Sequence, residues 1–179
     1  MWKLVGVFLT LGGVAGVLYS WVDEQRNKQI RLDMFLLFLQ KSLYVMKREK
    51  VKVMDYFQRV IELDNPLQIY RNELLQMALT EILQRLSTNT YPSGQMVWEE
   101  VFQEEKQSWN LDPEIFQMIV QAGNGFFGRS REENVSFLEK SIKELEEQQV
   151  KLKQKNAQER KVWVPVGMLG TMMLVILFL

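Results

Sequence analysis

Residues 30–44 read IRLDMFLLFLQKSLY, and this stretch decides the fold class of the chain. Ile30, Met34, Leu37, Lys41 and Tyr44 recur at steps of three and four residues, the spacing of one face of an α-helix. The further apolar residues Phe35, Leu36, Phe38, Leu39 and Leu43 widen this stripe until it nearly encircles the helix. The pattern predicts a helix from about residue 24 to 50 that lies at the centre of a helical bundle.

The segments that follow are also helix-patterned and are divided by turn formers. Breaks are predicted at Asp64-Asn65-Pro66, at residues 87–94 and at Asp112-Pro113. The residues predicted to face inward on the intervening helices are Val53, Phe57, Val60 and Ile61, then Leu67, Tyr70, Leu74, Met77, Ala78 and Ile82, then Val97, Trp98 and Val101, and finally Ile115, Met118, Ile119 and Ala122. The domain is therefore predicted to be all-α.

A last helix begins after Ser130, where a serine followed three residues later by Glu133 forms a capping box. Its apolar positions keep steps of three and four residues, with Gln149 in one place of the series, and predict a heptad seam that packs against another helix. These positions are Val135, Leu138, Ile142, Leu145 and Leu152. Residues 146–161 are mostly polar and are predicted to form a helical stalk.

Two charge-free apolar segments, Leu4–Val22 and Val162–Leu179, flank this domain. Each would extend about 27 Å as a helix, close to the hydrocarbon thickness of a bilayer. A cleaved secretory signal is a weaker interpretation of the first segment, because its end lacks a small-x-small site. The second segment is interpreted as a retained helix rather than a lipid-anchor signal. We predict a transmembrane helix at 1–22, a helical bundle at 23–145, a stalk at 146–161 and a transmembrane helix at 162–179.

The basic residues beside the two segments predict the orientation. Arg26, Lys28 and Arg31 follow the first segment, and five basic residues between Lys151 and Lys161 precede the second. The opposite side carries only Lys3 and the terminal amine. Because positive charge stays on the cytoplasmic side, we expect the bundle to be cytoplasmic and both termini to lie outside.

Small residues within the two segments are candidates for helix packing in the membrane. Gly12 and Gly16 form a G-x-x-x-G spacing in the first segment, and Gly167 and Gly170 lie in the second. Such residues allow helices to approach closely. Glycine is also common in membrane helices for other reasons, so both interpretations stay open.

Composition excludes most catalytic chemistry. The chain has no cysteine and no histidine, which removes thiol nucleophiles, the usual zinc sites and the commonest general base. All 22 acidic residues and all of the 22 basic residues except Lys3 lie in residues 23–161, so the domain is nearly neutral and unlike a nucleic-acid-binding domain. We predict no catalytic residues, no metal site and no cofactor.

Residues 123–128, GNGFFG, match the G-x-G-x-x-G pattern of dinucleotide-binding sites. That pattern binds a pyrophosphate when a β-strand delivers the glycines to the start of a helix. Here the preceding residues are helix-patterned, and no β-α-β unit can be built around them. The glycines are therefore predicted to end one helix and to allow a tight crossing into the next.

Nearly the whole chain resembles the stage III sporulation protein AB family of endospore-forming bacteria. The resemblance is carried by Met1-Trp2-Lys3-Leu4-Val5-Gly6, by Phe127-Gly128-Arg129-Ser130, and by Lys161-Val162-Trp163 with Val166-Gly167-Met168-Leu169-Gly170. This chain departs from the usual pattern at Arg131 and Asn134, where the family has an acidic residue and a glutamine, and at residues 39–43, where glutamates are usual. The fold is expected to survive these departures, whereas contacts made through those charges are not expected to carry over.

The resemblance implies a component of the channel complex between mother cell and forespore. The family also looks like the inner-membrane platform proteins of type II secretion and type IV pilus systems, which dock a hexameric ATPase. The implied partners are a cytoplasmic secretion-type ATPase and other stage III sporulation membrane subunits, without nucleic acid or a small-molecule substrate. The implied location is the mother-cell side of the outer forespore membrane.

Arg129, Arg131 and Glu132 are the candidate partner surface. Two alternatives to the platform stay open. A self-assembling protein that perforates or scaffolds the membrane is favoured by the paired apolar segments, but it needs no soluble domain of this size. A membrane-tethered enzyme using the glycine loop is disfavoured by the absence of strands and histidine.

Overall fold

The computed structural model of the chain describes residues 2–49, 51–62, 73–88 and 91–178. The helices are α1 (Trp2–Arg48), α2 (Val53–Glu62), α3 (Glu73–Ser87), α4 (Gly94–Glu104), α5 (Lys106–Trp109), α6 (Pro113–Ala122), α7 (Asn124–Phe127) and α8 (Arg131–Phe178). No strand occurs in these ranges, and the all-α prediction is confirmed. The predicted break at residues 64–66, together with Leu67 and Tyr70, lies outside the described residues.

The first and last helices are longer than the separate segments that the sequence suggested. α1 runs without interruption for 47 residues, through the N-terminal apolar segment and the predicted central helix. α8 runs for 48 residues through the capping box, the polar stretch and the C-terminal apolar segment, with Pro165 inside it. In the part of the chain that the structure describes, no helix has both the length and the apolar character needed to cross a bilayer.

The chain divides into two compact units. One consists of residues 1–29 with residues 150–179, and the other of residues 30–149. In the first, Lys28 Nζ lies 3.9 Å from Glu24 Oε1 one helical turn away, and Leu152 is buried. The second unit, called the bundle below, contains α2 to α7 and the adjoining parts of α1 and α8.

Aromatic side chains form the core of the bundle. The Trp98 and Phe102 ring centroids on α4 lie 4.5 Å apart, and the ring of Trp98 lies 5.3 Å from that of Phe126 on α7. Phe57 on α2 meets Phe126 edge-on at 5.1 Å, and Phe35 on α1 meets Trp109 edge-on at 6.1 Å. Such pairs add specific geometry to the burial of large apolar area, so this cluster holds five helices together.

The inward face of α1 differs from the predicted stripe. Leu32, Phe35 and Leu39 are fully buried, whereas Tyr44 is 57 % exposed and Ile30 is 39 % exposed. Apolar residues surround this helix almost completely, so its sequence does not decide which face turns inward. The prediction that α1 lies centrally is confirmed, but the predicted stripe through Ile30 and Tyr44 is wrong.

The inward faces of the shorter helices were predicted more accurately. Phe57, Ala78, Ile82, Val97, Trp98, Val101, Ile115, Ile119 and Ala122 are all buried as expected. Met77 is 58 % exposed and its inward assignment is wrong, because Leu75 and Leu79 of α3 take the buried positions instead. Val53, Val60 and Ile61 are only half-buried.

Two hydrogen bonds and an ion pair show that α1 and α8 run antiparallel within the bundle. Gln149 donates to Asp33 Oδ1 at 2.5 Å, Gln40 donates to Glu146 Oε1 at 2.9 Å, and Lys47 forms an ion pair with Glu139. Residue numbers rise along α1 as they fall along α8. Leu138, Ile142 and Leu145 are buried between these contacts, which confirms the predicted seam at three of its positions, whereas Val135 is half-buried.

A buried hydroxyl pair links α1 to α2. Ser42 is fully buried, its Oγ donates to the carbonyl of Phe38 at 2.7 Å, and it shares a hydrogen bond of 3.1 Å with Tyr56 Oη. Burial raises the pKa of the Tyr56 phenol, and the hydrogen bond to Ser42 lowers it by less. The pair satisfies two polar groups that burial alone would destabilise.

Candidate partner-binding groove

The glycines of residues 123–128 serve close packing. A Cβ added to Gly125 would lie 2.6 Å from Leu138 Cγ on α8, and one added to Gly123 would collide with the Trp98 ring. No described glycine has a positive φ, so the segment does not use the left-handed conformation that glycine permits. The prediction of a tight helix crossing is confirmed, and its physical basis is the missing side chain.

The backbone of this segment also argues against phosphate binding. The amides of Phe126 and Phe127 both donate to the carbonyl of Gly123, at 2.9 and 3.2 Å, and the Gly123 amide donates to Val120. A phosphate site needs amides that point at the ligand. Here three of the amides are already used within the chain.

The turn from α7 into α8 positions the candidate residues. The Glu133 amide donates to Ser130 Oγ at 3.1 Å, so Ser130 caps α8 as the sequence predicted. Gly128 has an extended conformation before this cap. Arg129 and Arg131 therefore stand on either side of the capping serine, outside the aromatic core.

A groove lies where this turn meets the end of α1 and the start of α2. Its volume is about 380 Å³. It is lined by Met46, Glu49, Val51, Lys52, Val53, Gly128, Arg129, Ser130, Arg131 and Asn134. Two of the three residues predicted for the partner surface, Arg129 and Arg131, thus lie in one concave site, whereas Glu132 is exposed on α8 outside its lining.

Arg131 also joins the two sides of the groove. Its Nε donates to the carbonyl of Met46, in the last turn of α1, at 2.7 Å. The last carbonyls of a helix lack partners within that helix, so this bond satisfies one of them. Arg131 therefore has a structural role that its position in the sequence did not reveal.

The charge of the groove is predominantly positive. Lys52, Arg129 and Arg131 line it and are exposed, and Glu49 is its one lining carboxylate among the described residues. Glu49 Oε2 lies 3.3 Å from Arg59 Nη1 of α2, so its charge is already paired. The sequence did not lead us to predict Lys52 as part of this surface. The basic residues between positions 47 and 52 were a usable signal, but only the fold brings Lys52 into the same groove as Arg129.

A second concavity lies between α1 and α8 of the bundle. It has a volume of about 310 Å³ and is lined by Ile30, Asp33, Met34, Leu36, Leu37, Gln40, Glu146 and Gln149. Its side-chain polar groups bond to one another in the Gln149–Asp33 and Gln40–Glu146 pairs. It presents no cluster of unpaired charge comparable to that of the groove.

The acidic side chains elsewhere in the described chain form no metal-binding group. Among the described residues, no group of three His, Cys, Asp or Glu side chains is placed to hold a metal ion. The neighbouring acidic residues Glu99 and Glu100 are exposed on α4. Cβ atoms added to Gly12, Gly16 or Gly170 would meet nothing within 4 Å, and Gly167 is half-buried. The predicted role of these four glycines in membrane-helix packing stays a prediction.

Comparison with known proteins identifies the family. No curated protein and no solved structure matches the chain. A family profile described as stage III sporulation protein AB matches residues 3–179, which is nearly the full length. The chain therefore belongs to the stage III sporulation protein AB family.

Proposed function

We propose that this protein is a structural platform of the channel complex between mother cell and forespore, and that its bundle docks a cytoplasmic secretion-type ATPase. The observation that carries the proposal is the family match over residues 3–179, which implies a role in stage III of sporulation. The family is one of structural sporulation proteins. Other stage III sporulation membrane subunits are the further partners in this proposal.

Membrane attachment is part of the proposal and rests on the sequence. Leu4–Val22 and Val162–Leu179 carry no charge, and basic residues flank each of them on the side of the bundle. We propose that both segments cross the outer forespore membrane, with the bundle in the mother-cell cytoplasm. Gly12, Gly16, Gly167 and Gly170 would then pack against helices of other subunits.

ATPase docking is supported by the resemblance to secretion platforms and by the groove. A platform needs a rigid body and an accessible surface. The aromatic core provides the first, since rings from five helices pack together. The groove provides the second, since three exposed cationic side chains converge there.

Continuous helices suggest how such a platform would work. α1 and α8 each extend from the bundle into one of the charge-free segments without a break in the helix. Movement of an ATPase bound to the bundle would act along these helices on the membrane subunits. This role requires mechanical continuity and no catalytic group of the protein's own.

Calorimetry tests the proposal directly. The full-length chain, purified in detergent, is titrated with the sporulation ATPase of the same organism, with and without ATP. We expect saturable binding whose affinity depends on the nucleotide. Absence of binding by a folded chain would overturn ATPase docking.

The membrane-perforating alternative is tested by a separate measurement. Liposomes loaded with a fluorescent dye are mixed with the full-length chain alone. The platform proposal expects the dye to be retained, because the protein needs other subunits to form a channel. Rapid leakage at protein concentrations that leave control liposomes intact would favour the alternative.

A further inference from the structure

We infer that the groove binds an acidic segment of the docked partner through Lys52, Arg129 and Arg131. The inference rests on the proposed function and specifies the chemistry of the contact. These three side chains come from two distant parts of the chain and line one concave surface. Carboxylate side chains are the natural counterpart of such a surface.

The positive charge of the groove is not neutralised by ion pairs with other described residues. The one lining carboxylate, Glu49, pairs with Arg59, which lies outside the groove lining. The side chains of Lys52 and Arg129 form no hydrogen bond or ion pair with the other described residues. Their charges are therefore available to a partner at no cost to the fold.

Arg131 is held in a position suited to a partner carboxylate. Its bond to the Met46 carbonyl uses Nε at 2.7 Å, and its two terminal nitrogens take no part in that bond. A guanidinium with a fixed plane pays less entropy when it forms a paired hydrogen bond to a carboxylate. Arg131 thus acts as an oriented cation between Arg129 and the end of α1.

Helix geometry adds to the positive potential. α2 begins at Val53 and α8 begins at Arg131, and both residues line the groove. The start of an α-helix carries a partial positive charge that falls off within the first turn. The two helix starts therefore reinforce the field of the three cationic side chains.

A different protein is a better occupant than a second copy of this chain. The acidic cluster of α3 and α4 lies around Arg85, whose guanidinium is 2.7 Å from Glu81, 2.6 Å from Glu104 and 3.6 Å from Glu100. Its charge is thus partly neutralised within the chain. Binding of this cluster to a basic groove would compete with these ion pairs, which favours an acidic segment of a different protein.

The decisive experiment reverses charge in the groove of the full-length chain. Lys52→Glu with Arg129→Glu is compared with Lys41→Glu with Lys143→Glu, which changes two exposed lysines of the bundle outside the groove by the same total charge. Binding to the ATPase is measured by calorimetry at about 50 mM and about 300 mM salt, because screening weakens contacts between exposed charges. We expect the groove variant to bind at least about tenfold more weakly and with less dependence on salt, at an unchanged melting temperature.

The outcomes separate the inference from the proposed function. Wild-type binding that persists in the groove variant would overturn the inference and leave ATPase docking intact. Absence of wild-type binding would overturn ATPase docking itself. Equal weakening in the control variant would show a general charge effect and would also overturn the inference.

A second probe tests the groove without the ATPase. A fluorescein-labelled hexaglutamate peptide is titrated against the wild type and both variants, with fluorescence anisotropy as the readout. Preferential binding to the wild type and to the control variant supports the groove as an acidic-segment site, and equal binding to all three overturns it. Sedimentation of the same samples identifies a second copy as the occupant if charge reversal in the groove dissociates an oligomer, and this result would also overturn the inference.

Discussion

The aromatic core and the basic groove of the bundle differ in how far the fold uses their side chains. In the core, Phe57 and Trp98 are fully buried, and Trp98 Nε1 donates to the carbonyl of Ile119 at 3.3 Å. In the groove, the side chains of Lys52 and Arg129 are exposed and form no hydrogen bond or ion pair with the other described residues. The difference teaches that the fold depends on the core, whereas the side chains of Lys52 and Arg129 are available to a partner because the fold does not use them.

The largest expected effect on stability comes from a cavity in the aromatic core. Phe57→Ala removes a fully buried ring that contacts Phe126 and Trp98. We expect the free energy of unfolding to fall by about 3–5 kcal/mol, measured by denaturant titration of the full-length chain in detergent. Met77→Ala, at a position that is 58 % exposed, is the control and should change it by less than about 0.5 kcal/mol. Equal effects of the two variants would contradict the assignment of Phe57 to the core.

Overpacking at the helix crossing has the next largest effect. The added methyl group of Gly125→Ala would lie 2.6 Å from Leu138 Cγ, so α7 and α8 must separate or Leu138 must move. We expect a loss of about 1–3 kcal/mol in the free energy of unfolding. Gly12→Ala, where the methyl group meets nothing within 4 Å, is the matched control. A Gly125→Ala variant as stable as the wild type would show that the crossing is looser than its geometry indicates.

Loss of the cap beside the groove has a smaller effect. Ser130→Ala removes the acceptor of the Glu133 amide at the start of α8. The expected loss in the free energy of unfolding is about 1 kcal/mol. Ser136→Ala, at an exposed position inside the same helix, should be neutral or slightly stabilising because alanine is the better helix former. The reverse order of the two variants would contradict the cap.

The smallest expected effects on the free energy of unfolding come from the two arginines of the groove. Arg131→Ala removes the hydrogen bond to the Met46 carbonyl, and we expect a loss of about 0.5–1.5 kcal/mol in the free energy of unfolding. Arg129→Ala removes no side-chain hydrogen bond or ion pair to the described residues and should change the free energy of unfolding by less than about 0.5 kcal/mol. Thermal unfolding of both variants checks this order. Greater destabilisation by Arg129→Ala would mean that the fold uses Arg129 and would weaken the distinction between core and groove.

Prediction from the sequence was most successful where a single local rule applies. Ser130 and Glu133 define a helix start through neighbouring residues alone, and the structure has the bond. Prediction failed where several faces were equally apolar. Tyr44 was placed inward but is 57 % exposed, and Phe102 and Trp109 were not assigned to the core that they help to form. The spacing of apolar residues predicts how much of a helix is buried. It predicts less reliably which face of the helix is buried.

By itself, the sequence determined that the protein is all-α, that α6 begins at Asp112-Pro113 and α8 after Ser130, and that the chain lacks the residues for histidine or cysteine chemistry. These properties depend on residue type and on spacing over a few turns. Only the tertiary structure decided which faces of α1 and α3 are buried, that Arg131 bonds to the end of α1, and that Lys52 lies in the same groove as Arg129. Contacts between residues about 80 positions apart depend on how the helices pack, and packing is settled by the fit of many side chains at once.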